Sequence, residues 1–271
     1  MTIKMNRKKI IAAVLAVVLI IAMIFIIIIK NSVWKHARGG SLAENVQESE
    51  EAESVQLTER AEEEDTQTAS VYEDIRPSLV HITVKQNAGT GLIWEITEQE
   101  VVIASNRHVL TGDVEAEVTF ANGDKLTAYA LGYSAQYDVA FFKIDITDIP
   151  QQLMQSVTEV RKPLEIALQE RSQSGTAIIQ AGSEDTYYEG TITQTQYMPG
   201  FGMDMLCTSC YARAGMSGGG VFDREGWLLG MVTGGEAAST GKKETWNTYS
   251  IPVTIIEEEY QTILENRINN G

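Results

Sequence analysis

The chain has 271 residues, of which 37 are acidic and 21 basic, giving a formal net charge of −16 and a hydrophobic fraction of 44%. That length allows one or two domains. The acidic balance excludes a nucleic-acid binder that works by neutralising phosphates with basic surface.

Residues 1–9 form a short basic tail carrying Lys4, Arg7, Lys8 and Lys9. Residues 10–29, IIAAVLAVVLIIAMIFIIII, are twenty apolar residues without a charge, long enough to span a bilayer as a helix. A secretory signal would have a shorter apolar core and a small-residue cleavage site. Lys30, Asn31, Ser32, Val33 and Trp34 follow instead, so the sequence predicts a retained membrane anchor. The basic tail places the N-terminus in the cytoplasm and the bulk of the chain outside the cell. Residues 30–70 read as an acidic stalk: positions 39–70 hold ten acids, one arginine and few large apolar residues, too little to bury for a folded unit.

From residue 71 to 271 the texture changes. Short apolar runs alternate with turn signals: LVHITVK (79–85), GLIWEI (91–96), VVIAS (101–105), VEAEVTF (114–120), LTAYALGY (126–133) and VAFFKI (139–144). A second set follows: TAIIQA (176–181), TITQTQY (191–197), MDMLCTS (203–209), GGVFD (219–223) and WLLGMVT (227–233). Many short strands with few helical crossovers predict an all-β barrel or sandwich rather than a parallel α/β sheet. VTIIEEEYQTILENR (253–267) has Val253, Ile255, Ile256, Tyr260, Ile263 and Leu264 at roughly helical spacing and predicts a C-terminal helix. Two cysteines, Cys207 and Cys210, make no disulfide framework. On a strand, positions three apart face opposite ways, and no nearby His or Cys completes a zinc site, so both are expected to be ordinary thiols.

The stretch AGMSGGG (214–220) sets one serine among four glycines. Glycine is placed where the backbone turns with φ > 0 or comes close to a ligand. A serine nucleophile needs a base, and the base needs an orienting group. The chain has three histidines. His36 lies beside the anchor and His81 sits mid-strand, which leaves His108, where VVIASNRHVL turns. GMSGG formally matches the G-x-S-x-G elbow of α/β-hydrolases, but that fold needs its histidine after the serine. The order His, Asp, Ser fits a chymotrypsin-like double β-barrel. Asp138, entering the strand YDVAFFKI, is the acid placed for burial against an imidazole; Asp145 and Asp148 follow that strand and read as its solvated end.

Three blocks together resemble the trypsin-like serine proteases of the HtrA/Deg kind: GTGLIWEITEQEVVIASNRHVL (89–110), YDVAFFKI (137–144) and GMSGGG (215–220). VYEDIRPSLVHITV (71–84) and NTYSIPV (247–253) resemble the opening and closing segments of that protease domain. The resemblance implies that His108 is the general base, Asp138 orients it and Ser217 attacks the scissile carbonyl. It assigns the oxyanion-hole donors to the N–H groups of Gly215 and Ser217. Gly215 would turn the backbone inward without a Cβ clash, and Gly218 and Gly219 would let the chain pack into the second barrel. Tyr211 takes the floor of the S1 pocket, so cleavage after Lys or Arg is not expected. Val232, Thr233 and Gly234 fall near S1 and suggest a modest apolar P1 side chain. No metal or other cofactor is implied.

The partner implied is a protein or peptide substrate, in protein quality control or regulated proteolysis, in a bacterium; a homotrimer follows by analogy only. Three positions depart from the family pattern. Met216 stands where Asn or Asp is usual, so it forms no ion pair with a freed N-terminus. Gly220 replaces a common Pro, which loosens the loop, and Arg213 brings a charge expected to reach solvent. About fifty residues follow Ser217, too few for the PDZ domain that many such proteins carry. A catalytically inactive relative acting as a binding or sensing module is the alternative, which the complete His–Asp–Ser set argues against.

Overall fold

The computed structural model describes residues 66–110, 112, 114–237 and 245–270. The predicted anchor at 10–29 and nearly all of the predicted stalk lie outside the described residues. Among the described residues no helix is long and apolar enough to cross a membrane.

Twelve strands among the described residues close into two barrels. The first holds β1 (Leu79–Val84), β2 (Asn87–Ile96), β3 (Glu100–Ser105), β4 (Glu115–Phe120), β5 (Lys125–Tyr133) and β6 (Ala140–Asp145), in the order β1-β2-β3-β6-β5-β4. The second holds β7 (Ala177–Gly182), β8 (Thr186–Met198), β9 (Met203–Thr208), β10 (Gly220–Asp223), β11 (Leu228–Ala237) and β12 (Thr245–Pro252), in the order β10-β11-β12-β9-β8-β7. Every pairing is antiparallel. Among the described residues closure leaves neither barrel a free sheet edge. The strand pattern predicted an all-β barrel or sandwich, and the order of His108, Asp138 and Ser217 a chymotrypsin-like double barrel; the chain forms the double barrel.

The burial pattern explains why some strands read as unbroken apolar runs. In β3, Val101 and Ile103 fill the first barrel, while Val102 and Ala104 join the core shared with the second. In β6, Ala140, Phe142 and Ile144 point into the first barrel and Phe141 points out of it, toward that shared core. Strands buried on both faces lose the period-two alternation. β4, with only its inner face covered, keeps that alternation.

Among the described residues five α-helices complement the barrels. The described part of α1 covers residues 66–75 and runs across the expected stalk boundary at residue 70. Thr68 and Tyr72 are buried, the Tyr72 ring stacks on Tyr187 at 4.6 Å, and Arg76 pairs with Asp185 at 2.7 Å. The compact unit accordingly spans Asp65–Gly271. α2 is a single turn, Arg107–Leu110, after β3. Two short helices, α3 (Gln151–Met154) and α4 (Glu165–Arg171), lie between the barrels in sequence and were not expected.

The expected terminal helix is present as α5, Val253–Asn270. It reaches back to the first barrel: Ile263 fills the space over Gly132, Tyr260 packs 5.1 Å from Phe141, and Arg267 donates twice to Glu100. β8 starts earlier than its apolar run suggested, at Thr186. Gly190 interrupts the pattern because a Cβ there would meet Cys210 Sγ at 2.6 Å. Cys207 and Cys210 are buried thiols with no disulfide between them, and burial pushes the Cys210 thiol up to about 12.

Candidate active site

The pairing of β3 with β6 brings the first two residues together. Ser105 sits opposite Ala140, so the chain leaving β3 and the chain entering β6 meet at one end. Asn106 Nδ2 donates to the Asp138 carbonyl at 3.0 Å. On the entering side, the Ser134 hydroxyl accepts from the Gln136 and Tyr137 amides at 3.1 and 2.8 Å and closes the tight approach to Asp138. The Asp138 carboxylate then takes the His108 amide on Oδ1 at 2.9 Å and the His108 ring Nδ1 on Oδ2 at 2.7 Å.

The second barrel supplies the third contact. The Thr233 hydroxyl, on β11, donates to Asp138 Oδ2. Burial opposes ionisation of Asp138, but the bonds from the His108 ring, the Thr233 hydroxyl and the His108 amide outweigh it and hold the carboxyl below its ordinary value. The bond to Asp138 raises the His108 imidazole above its ordinary value, against the opposing effect of burial. A carboxylate that stays ionised has no proton to give. Nδ1 of His108 is therefore the donor, and Nε2 is left with its lone pair free.

Ser217 lies just before β10 and is held between the barrels. Its carbonyl accepts from the Thr90 amide on β2 at 2.8 Å. The next two residues are tied to β11: the Gly218 amide donates to the Val232 carbonyl and the Val232 amide to the Gly219 carbonyl, both at 2.8 Å. Val232 precedes Thr233, so the strand that clamps the serine loop also reaches the carboxylate. Gly218 is required here. Its φ is +85°, and a Cβ would lie 2.0 Å from the Thr90 carbonyl oxygen. It packs against the first barrel, whereas Gly219 packs against Ala181 of the second; the expectation that both served the second barrel is corrected on that point.

Residues 213–216 form a turn in which the Met216 amide donates to the Arg213 carbonyl at 3.2 Å. Gly215, its second central residue, has φ +94°, the type II geometry that glycine permits. A Cβ at Gly215 would meet nothing within 4 Å, so the reason for glycine is the left-handed φ and not the avoided clash that the sequence suggested. Among the described residues, the N–H groups of Gly215 and Ser217 donate to no protein acceptor. Two uncommitted amides beside a serine hydroxyl can stabilise a developing oxyanion. Among the described residues the Ser217 hydroxyl makes no hydrogen bond, and apo geometries of this kind often tighten only with substrate.

Several expected substrate contacts have other duties. Val232 is buried and uses both backbone groups to hold Gly218 and Gly219. The Thr233 side chain is likewise committed to Asp138. Gly234 lies 3.5 Å, measured from a built Cβ, from the Phe201 ring. Tyr211 is half-buried, with its carbonyl taken by Gln180 Nε2 at 2.8 Å and its ring edge-on to Tyr188 at 5.1 Å. Arg213 does not simply reach solvent: its guanidinium donates to Thr186 and pairs with Glu184 at 3.4 Å. Gly220 has a steric reason to be glycine, since the Phe222 ring occupies the place of its Cβ. A cavity of about 460 Å³ opens beside His108, lined by Leu110, Val114, Ala130 and Tyr133. Among the described residues no cluster of His, Cys, Asp and Glu suits a metal ion.

Residues 89–231, just over half of the chain, match the family described as trypsin-like peptidase domain. In sequence the chain is similar to serine protease HTR4 of Rattus norvegicus, 24% identical over 61% of this chain and 35% of that protein. It is also similar to the chloroplastic protease Do-like 1 of Arabidopsis thaliana, 23% identical over 61% and 40% of the two chains. It resembles the serine protease Do-like HtrA of Lactococcus lactis at 24% identity over 53% and 36%. The chain thus spans little more than a third of the length of these curated relatives. In fold it is similar to the HtrA-type protease AlgW with tripeptide, at TM-score 0.60 and 22% identity over 73% of this chain and 64% of that one. An inactive form of Rv3671c from M. tuberculosis aligns at TM-score 0.55 and 18% identity over 71% and 89%.

Proposed function

Because the chain belongs to the trypsin-like peptidase family, we propose that it is a serine endopeptidase whose catalytic triad is His108, Asp138 and Ser217. The observation that carries this is the bond from His108 Nδ1 to Asp138 at 2.7 Å, completed from the second barrel by Thr233. The chemistry follows from that arrangement. Ser217 Oγ attacks the scissile carbonyl while its proton passes to His108 Nε2. The imidazolium that forms is stabilised by the ionised Asp138. The carbonyl oxygen, now anionic, takes the free N–H groups of Gly215 and Ser217. The tetrahedral adduct expels the amine, which receives the proton from Nε2, and leaves an acyl-Ser217 ester. Water then attacks the ester with His108 again as base, releasing the acid and restoring the serine.

The substrate is an extended segment of polypeptide, in keeping with the tripeptide complex of AlgW. Tyr211 at the expected S1 floor supports a P1 side chain that is not Lys or Arg. The charge-free run at 10–29 supports an anchored enzyme with its protease domain outside the cytoplasm of a bacterium, held off the membrane by the acidic stalk. A homotrimer rests on analogy with the family. The test is cleavage of a proteome-derived peptide library by the full chain in mild detergent. Cut sites that vanish with Ser217→Ala support the reading; identical peptides from both proteins overturn it.

A further inference from the structure

The geometry points to Thr90 as the residue that positions the oxyanion hole, an inference that rests on the proteolytic reading above. Thr90 lies on β2 and is fully buried, and it grips the serine loop at two places. Its hydroxyl donates to the Gly215 carbonyl at 2.9 Å, and its amide donates to the Ser217 carbonyl at 2.8 Å. The Thr90 carbonyl accepts in turn from the Ser105 hydroxyl at 2.7 Å, which locks β2 to β3. Its hydroxyl is also held from the far side, accepting from the Ser183 amide at 3.1 Å, with Ser183 Oγ 3.2 Å away. Ser183 Oγ is itself 3.3 Å from His81 Nδ1. One side chain thus joins the first barrel, the β7–β8 turn and the serine loop.

The consequence lies in which peptides are fixed. The Gly215 carbonyl belongs to the 215–216 peptide and the Ser217 carbonyl to the 217–218 peptide. Between them sits the 216–217 peptide, which carries the Ser217 N–H. The Gly215 N–H is attached to the Cα that the first of these bonds holds. Both donors of the hole are therefore set from Thr90, across 125 positions of sequence. Met216, standing where Asn or Asp is usual, is buried and offers the loop no ion pair. Neutral hydrogen bonds from Thr90 take over that task. Arg213, bonded to Glu184 and Thr186, ties the front of the same turn to the same β7–β8 turn.

The test compares Thr90→Val and Thr90→Ser in the full chain. Valine keeps the shape and the amide bond to Ser217 but removes the hydroxyl, leaving the Gly215 carbonyl and the Ser183 amide without it. Two readouts are taken. The first is the rate of Ser217 labelling by a fluorophosphonate, resolved into kinact and KI. Thr90→Val should lower kinact about 10- to 30-fold with KI within about twofold, since the loss falls on charge developing in the hole. Thr90→Ser should restore kinact to within about threefold. The second readout is amide hydrogen exchange, which needs no activity. The peptide covering 213–218 should exchange at least about fivefold faster in Thr90→Val, with β9 and β12 unchanged. A lower Tm with kinact and local exchange unaltered would make Thr90 merely structural and overturn the inference. If wild-type Ser217 takes no label, the proteolytic reading is what fails, and the exchange measurement alone decides the role of Thr90.

Discussion

Replacing Gly218 by alanine should damage the protein far more than replacing Gly215, although both glycines have positive φ. At Gly215, φ is +94° and the space around a Cβ is empty. The cost is left-handed strain alone, about 1–2 kcal/mol. At Gly218 the same strain is joined by a contact at 2.0 Å with the Thr90 carbonyl oxygen and one at 2.5 Å with Ser105 Oγ. Backbone cannot yield as a flexible side chain does, so the loop must retreat from β2. That breaks the bonds from Thr90 to Ser217 and from Gly218 to Val232, at about 1 kcal/mol each. Gly218→Ala should therefore cost about 3–4 kcal/mol. Its Tm should fall by roughly 6–16 °C, against roughly 2–8 °C for Gly215→Ala, in a domain of this size. Activity separates the two differently. Relieving the strain at Gly215 turns its N–H away from the hole, which should lower kcat by about 10²–10³-fold with little unfolding. Thermal melts and kcat measured on both variants decide the matter. Equal melts, or a Gly218→Ala variant that works at more than about a tenth of the wild-type rate, would refute the clamped-loop geometry.

The raised His108 pKa sets a pH dependence. The free base is needed for attack, so kcat/KM should rise with pH through a limb lying above the ordinary histidine value of 6.5. The stabilising contribution of the His108–Asp138 bond runs the other way on the histidine side: it is full below pH 6.5 and fades as pH climbs through the raised folded value. Asp138 adds stability above its unfolded value of 3.8, lost as pH falls through the depressed folded value. Asp138→Asn should lower kcat/KM by about 10³–10⁴-fold, since an amide no longer fixes the tautomer that leaves Nε2 free. Thr233→Val should lower it only about tenfold and leave KM nearly unchanged, because one of three donors to Asp138 is lost; a large rise in KM would return Thr233 to the substrate contacts. Deleting residues 66–75 should destabilise the domain by about 2–5 kcal/mol by uncovering Tyr187 and the shared core around Tyr72 and Ile75; an unchanged Tm would show that α1 adds nothing to the folded domain.

Much of this molecule was legible as sequence because its strands carry their burial in plain form. VVIAS and VAFFKI are apolar throughout since β3 and β6 face two cores, and VEAEVTF alternates since β4 faces one. The candidate site residues were chosen by elimination among few histidines and by chain order, and the pairing of β3 with β6 brings two of them, His108 and Asp138, into hydrogen-bond contact. What stayed hidden depends on contacts between distant segments. Thr90 looks like any strand threonine until β2 is set against the serine loop. The duty of Thr233 depends on the irregular register of β11 against β12 between Val232 and Gly234, which no local pattern announces. α1 was hidden by composition: Thr68, Tyr72 and Ile75 recur at helical spacing, but the acidic residues around the first of them read as stalk.

The most direct test of the account is reaction of the full chain with a fluorophosphonate probe, the adduct being located by mass and compared with His108→Ala. The account predicts a single adduct on Ser217 that is lost, or slowed by at least about 10³-fold, when His108 is removed. A folded protein that takes no adduct, or an adduct on Ser217 that forms equally fast without His108, would contradict it.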